Sequence, residues 1–529
     1  MSLRTEEDGA AVDYLILHPS AEALSHLLDL LRTCPSDDTH LRHACRIALR
    51  NTLRDTSTGW STAARRLQER PADLPLVLDV LHGLPTPASA VFLAQAWREA
   101  GWTPQALQQR YQLSFEDYLR GVEFLARHAP AETVHSLAVV LKLNGSADAD
   151  TTLRIARSFF RGRSGQKVEE ALFPADLENL LREALQPTQP VGQQALALEV
   201  LSLLRPSLSE GPRRQNLDRW AAPALASLLA HPAVPLPVRQ QAISLALRDY
   251  ATATAAPLEQ LLTAPTTPPP LREHLLLTLA AQPQVLSLPS LRAALREALK
   301  QAPYRLAHAV AMQLATSRPG AELLLQAARQ QELSPQILQE RLIRERLQAL
   351  RLPELEKQLT ALTKNLPPLD QNLQNLIRQR TAAFSQHRAD LQAGARLFIQ
   401  HCAPCHRLGS EGGSIAPQLD GIAQRGAERL LEDILDPNRN VDPAFRAHVI
   451  LTTDERTLTG LVLPSEDPDV LLLADTTGKT LRIPKKEIVS HRETSLSPMP
   501  ANFAQLLPEK DLYDLLAFLL QQRTPPKKP

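Results

Sequence analysis

Cys402-Ala403-Pro404-Cys405-His406 is the stretch on which the reading of this chain turns. Two cysteines three positions apart, with histidine directly after the second, form the attachment pattern of a c-type haem. The chemistry asks for that arrangement. Each thiol adds across a vinyl group on the porphyrin edge, and cysteines one helical turn apart reach both vinyls. His406 then lies under the ring, where a ring nitrogen can bind the iron. The competing reading is half of a zinc site, and zinc takes four ligands. The chain's four cysteines include no second Cys-x-x-Cys, because Cys34 and Cys45 lie far away. The pattern implies one covalently bound haem c, attached at Cys402 and Cys405, with His406 on the iron.

Upstream, Gly394-Ala395-Arg396-Leu397-Phe398 leads into the motif as a short amphipathic helix. Downstream come a glycine-rich loop (Gly409, Gly412, Gly413), then Ile415-Ala416-Pro417-Gln418-Leu419, then a short helix over 428–435 ended by Asp436-Pro437. Beyond it the pattern changes period. Short β-branched or leucine-rich runs at 447–452, 457–463, 469–474 and 479–483 alternate with turn signals. They predict four strands of a small antiparallel sheet inserted over 446–491. The insertion accounts for the 97 positions between Cys402 and Met499. Pro508-Glu509-Lys510-Asp511 opens a last helix, with acids at its positive end.

Met499 stands between prolines in Ser497-Pro498-Met499-Pro500, and the only other methionines are Met1 and Met312. A thioether opposite the histidine favours reduced iron and raises the potential. Flanking prolines would hold that loop rigid. The alternatives are a core methionine, or His401, His448 or His491 as the sixth ligand in a lower-potential bis-histidine site.

These features resemble class I cytochromes c, in which a first and a last helix cross with glycine and an aromatic at the contact. The resemblance implies that Gly394 gives the close approach and that Phe398 packs on the last helix. It also implies that the Pro417 carbonyl accepts the N–H of the proximal histidine, fixing the ring; a plain loop proline is the alternative. Residues 393–520 further resemble the haem-binding domain of planctomycete and verrucomicrobial proteins of the Pirellula/Verrucomicrobium type. The likeness runs through Gly394-x-x-x-Phe398, Cys402-Ala403-x-Cys405-His406, Pro417-x-Leu419-x-Gly421-Ile422, Ile434-Leu435-Asp436-Pro437, Thr459-Gly460, Ile488, Ser497-x-Met499-Pro500 and Asp514-Leu515-x-Ala517-Phe518-Leu519. Ala416, Gln418 and Pro498 depart from the usual glycine, aspartate and leucine of that family. In it, the haem domain often follows HEAT-like helices, themselves behind a β-propeller resembling sugar dehydrogenases. Asp38-x-x-Leu41-Arg42-His43-Ala44-x-Arg46-Ile47-Ala48-Leu49-Arg50 looks like the start of that helical part.

Before the haem motif, apolar residues recur at helical spacing in 23–31, 41–53, 134–143, 195–204, 241–247, 271–279 and 306–314. Prolines at the joints (Pro35, Pro85, Pro130, Pro206, Pro223, Pro257, Pro283, Pro303) end one helix or open the next. Helices near 243, 275 and 310 recur every ~30–35 residues, the range of stacked helix-pair repeats. The expected fold is mainly α: an irregular HEAT-like α-solenoid over 20–340, a helical hairpin over 341–390, and a class I-like cytochrome c domain over 391–522. A non-repeating helical domain is the alternative to the solenoid. Leu355, Leu359, Leu362 and Leu366 form the stripe of the first hairpin helix, ended by Pro367-Pro368; the second restarts near Asp370. A coiled-coil dimer is the other use of such a stripe.

Lys plus Arg (58) nearly equals Asp plus Glu (57), so no global charge argues for nucleic acid or an anionic membrane. No apolar run is long enough to span a bilayer. His40, His43, His274 and His308 are scattered and mark no site; Asp37-Asp38 reads as a helix cap. Cys34 and Cys45 either pair in an oxidising compartment or are buried thiols. The first twenty residues lack the pattern of a signal peptide, whereas haem c is attached outside the cytoplasm. The expectation is a periplasmic protein whose export signal, and further sequence, precede this start.

Two function classes follow. In the first, the chain is an electron-transfer protein and no enzyme itself, or the cytochrome portion of a larger dehydrogenase. Its helical region then docks a redox partner, a sugar-type or other dehydrogenase domain. In the second, it is a helical scaffold whose haem senses a ligand or is structural. A sensor needs a displaceable sixth ligand, and the prolines around Met499 favour the first. Peroxidase-like catalysis would need an open iron position, for which nothing in the sequence speaks.

Overall fold

The computed structural model describes residues 2–143, 148–168, 175–366 and 369–522. It is mainly helical, with 26 α-helices and one five-stranded antiparallel sheet among those residues. The chain divides into two compact units, Met1–Thr254 and Ala255–Pro529. No described helix is long and apolar enough to cross a membrane.

In the first unit the helices form where the apolar stripes lie, and polar side chains cap several of them. Asp38 accepts the Leu41 N–H at 3.0 Å at the head of Thr39–Asp55; Thr86 and Ser89 make a capping box before Pro87–Ala100. Phe115–His128 packs on Ala149–Gly162, which packs on Val191–Ser207, which packs on Leu236–Asp249. The core holds Trp97 stacked on Tyr118 at 4.9 Å, with Phe159 and Phe160. Cys34 and Cys45 are both buried. Two of the prolines expected at joints stand elsewhere. Pro206 lies in the last turn of Val191–Ser207, and Pro223 lies inside Pro212–Ala230. There its ring leaves the Arg219 carbonyl without an intrahelical donor, a cost that burial of Leu217, Leu225 and Leu228 on the same helix offsets.

In the second unit, helices again pack on the next but one: Ala255–Thr263 on Pro289–Lys300, and Pro269–Ala280 on Tyr304–Leu314. The helix Leu355–Thr363 packs back on Arg318–Arg329, whereas Leu369–Phe384 packs forward on Gly426–Leu435 and adds Ile377 to the core there. Pro367-Pro368 between them lies outside the described residues.

Five strands replace the four expected: β1 (His448–Thr452), β2 (Thr457–Leu463), β3 (Val470–Asp475), β4 (Thr480–Pro484) and β5 (Ile488–Glu493), in the order β4-β3-β2-β1-β5. The unexpected β5 is an edge strand pairing with β1, and most of its residues are exposed. It therefore has no need of the apolar alternation that marks a half-buried strand. Ile450, Leu471, Leu473 and Ile483 cluster on one face. The helix Arg341–Ala349 packs on β1 and β2. Its Arg346 is buried and donates from Nε to Thr459 Oγ1 at 2.8 Å and from Nη1 to the Met312 carbonyl at 2.5 Å. Thr457 N–H donates to the Thr316 carbonyl at 2.6 Å. Helices that precede the haem motif are thus bonded directly to the inserted sheet.

Candidate functional site: a haem-attachment loop on an apolar bed

The helix Leu391–His401 begins at Asp390, whose carboxylate accepts the N–H groups of Gln392 and Ala393 at 3.0 Å. It crosses the last helix, Glu509–Leu520. A Cβ at Gly394 would collide with the Asp514 carbonyl and sit 2.7 Å from Phe518 Cβ, so only glycine permits this approach. Phe398 is buried one turn on, its ring 5.8 Å from that of Phe518. Asp514 fixes the crossing: its buried carboxylate accepts from His387 Nε2 and the Asp390 N–H at 2.8 Å and from Lys510 Nζ at 2.5 Å. Burial pushes that carboxyl up, but the bonds from Lys510, His387 and Asp390 outweigh it and hold it below its ordinary value.

Past His401 the chain makes one tight turn. Cys405 and His406 both donate their N–H to the Cys402 carbonyl, at 3.1 and 2.9 Å. This turn brings the two thiols and the imidazole together. Three further backbone bonds clamp it to the glycine-rich loop and the segment after it: Gly413 N–H to Ala403, Ala416 N–H to Cys405 and Leu419 N–H to Arg407, at 2.8–2.9 Å. Pro417 is thereby set opposite the histidine. His406 Nδ1 lies 2.7 Å from the Pro417 carbonyl, so that nitrogen carries the proton. Burial lowers the His406 pKa, with the Pro417 carbonyl opposing, and the imidazole is neutral at neutral pH. Nε2 is left as a lone-pair donor with no hydrogen-bond partner among the described residues.

The thiols behave unlike a redox Cys-x-x-Cys, in which the pKa is depressed. Burial, with Cys405 adding, pushes Cys402 up to about 12, and burial, with Asp475 adding, raises Cys405. Among the described residues no group of three or more His, Cys, Asp or Glu side chains forms a metal cluster here. A neutral imidazole with a free Nε2 and two protonated thiols on one turn is a donor set that fits a covalently attached haem: Cys402 and Cys405 would hold the macrocycle's edge and His406 its iron. When bound, the haem supplies a one-electron couple.

One apolar cluster underlies these groups. Phe398, Leu430, Leu431, Ile434, Leu435, Phe503, Leu507, Leu512, Leu515, Leu516 and Leu519 are buried in it, and Cys402, Leu419 and Met499 pack against it. Phe398, Cys402, Leu419 and Met499 thus gather on one bed. The alternative ligands stand differently. His448 and His491 face each other across β1 and β5, Nδ1 to Nε2 at 2.9 Å, each engaging the other. His401 is half-buried, its pKa lowered by burial and by Arg305.

Two parts of the site carry no sequence signal. The β3–β4 turn lies on the attachment loop: a Cβ at Gly478 would stand 2.8 Å from the Pro404 carbonyl and 3.2 Å from Cys405 Sγ. In addition, Asn502, three residues after Met499, is bonded to His308. Thr477-Gly478 reads only as a turn, and His308 only as one more scattered histidine.

The family model for cytochrome c matches residues 391–449, from the helix that carries the motif to the start of β1. This chain therefore contains a haem-binding c-type cytochrome domain. No curated protein matches the chain.

Proposed function

We propose that the chain is a monohaem c-type cytochrome acting in electron transfer, with haem c bonded to Cys402 and Cys405 and iron held between His406 and Met499. The observation that carries this reading is the His406 ring, fixed at Nδ1 by the Pro417 carbonyl with Nε2 left open, on the turn it shares with Cys402, which packs on the same bed as Met499. A methionine between two prolines is a poor site for exchange with small ligands and a good one for a couple that must not reorganise. That favours electron transfer over ligand sensing. The domain proper spans 391–522, with Leu419, Phe398 and Gly394 in its pocket wall and helix crossing. Stacking of helices on the next but one supports reading 20–340 as HEAT-like, with 341–390 joining it to the cytochrome. Such a stack offers long surfaces, which we assign to docking a redox partner, a sugar-type or other dehydrogenase domain, in the periplasm. Carbon monoxide decides between the two function classes. The reduced native protein should leave it unbound, whereas rapid, complete binding would establish an open or displaceable position and overturn electron transfer.

A further inference from the structure

The segment bearing Met499 is held at three points, and one of them comes from outside the cytochrome. Upstream, Thr494 and Leu496 exchange backbone bonds with Ala447 at 2.9 and 2.7 Å. Ser497 N–H then donates to Asn438 Oδ1 at 2.9 Å, and Met499 N–H donates to Ser497 Oγ at 3.1 Å. Pro498 and Pro500 have no N–H with which to add further bonds. The next fixed point is Asn502, whose side-chain amide donates to His308 Nδ1 at 3.0 Å. Both side chains are buried, 8 % and 6 % exposed. His308 belongs to the helix Tyr304–Leu314, 194 positions from its partner and before the haem motif. Acceptance at Nδ1 puts the ring proton on Nε2, which faces Glu340 Oε1 at 3.6 Å. Tyr304 stacks on the ring, 6.3 Å between centroids. The Asn502 bond is thus the ring's one hydrogen bond among the described residues, and Tyr304 lies beside it.

We propose that His308 is a positioning residue for the Met499 loop: through Asn502 it fixes the downstream end of the segment that presents the thioether. The proposal rests on Met499 being the sixth ligand. Two prolines stiffen a segment but do not set where it sits; anchors at both ends do. Without the acceptor at Nδ1, the buried Asn502 amide loses its partner and the loop gains an open alternative in which it leaves the iron side. The helix Tyr304–Leu314 thereby becomes part of the cytochrome in function. A haem domain cut at 385 would lack this anchor.

The test is made on the full, haem-loaded chain, with imidazole as the competitor that must displace the methionine from ferric iron. His308→Leu removes the acceptor while keeping a side chain of similar volume, and His308→Gln offers an acceptor at similar reach. Ala311→Gly, on the same helix, controls for loss of stability alone. We expect His308→Leu to bind imidazole about tenfold more tightly than the parent, His308→Gln to recover most of the difference, and Ala311→Gly to leave affinity unchanged while lowering the unfolding midpoint. If His308→Leu does not accumulate, Asn502→Ala breaks the same bond from the loop side and should show the same gain. Unchanged imidazole affinity in the folded variant, or an equal gain in Ala311→Gly, would overturn the positioning role. Met499→Ala separates the two readings. If it loses the far-red ferric band while His308→Leu binds imidazole like the parent, the ligand stands and the positioning role falls. If it keeps the band, the ligand assignment falls and the positioning role with it.

Discussion

Asp514 shows how a single side chain holds the helix crossing that the haem loop leaves from. It is fully buried and carries three donors, one of them a backbone N–H at the head of the motif helix. Its folded pKa is depressed, so its contribution is complete above the unfolded value of about 3.9 and is lost as pH falls through the folded value. Asp514→Asn should therefore cost about 2 kcal/mol at neutral pH. The gap to the parent should close on acidification below about pH 4. Urea midpoints measured against pH check this; a gap that is constant with pH would contradict it. Part of this residue's role is legible in sequence, since Gly394 and Phe398 mark the crossing. Its bond to His387 is not, because 127 positions separate the two and no local pattern encodes the contact.

At the scale of elements, the inserted sheet both frames the site and covers it. Gly478 in the β3–β4 turn has φ +84°, and a Cβ there would meet the Pro404 carbonyl and Cys405 Sγ. Gly478→Ala strains the backbone and drives a methyl into the attachment loop, so it should destabilise the domain by about 1–2 kcal/mol. The same change should lower the yield of covalent haem; a variant with parental unfolding midpoint and haem content would contradict the contact. Strands β1 to β4 are readable because each buries an apolar face. The fifth is silent because Val489, His491, Arg492 and Glu493 are exposed, and the backbone ladder with β1 and polar pairs such as Arg492 with Glu345 hold it. The attachment loop is readable to the residue, since covalent chemistry fixes its spelling. What lies on top of it is tertiary packing, which glycine at a turn can suggest but not locate.

For the whole molecule, the division into a helical scaffold and a cytochrome is less sharp than the change of sequence period implies. Arg346, Thr316 and His308, all before residue 350, bond the haem-side half of their unit. If 20–340 docks a redox partner, as proposed, the helices of Met1–Thr254 are the part on which that role can be tested apart from the unit that holds the cytochrome. An excess of that unit, added separately, should then slow reduction of the full chain by the proposed dehydrogenase partner several-fold and leave reduction by ascorbate unchanged. Equal rates with and without it would rule out docking there. What holds the iron decides what the molecule can do. The ferric spectrum of the purified protein and of Met499→Ala tests this most directly. We predict one haem per chain, a weak far-red methionine–iron band in the parent, and in Met499→Ala loss of that band with a lower reduction potential. A band that survives the substitution, or a parent spectrum of bis-histidine type that the substitution leaves unchanged, would contradict it.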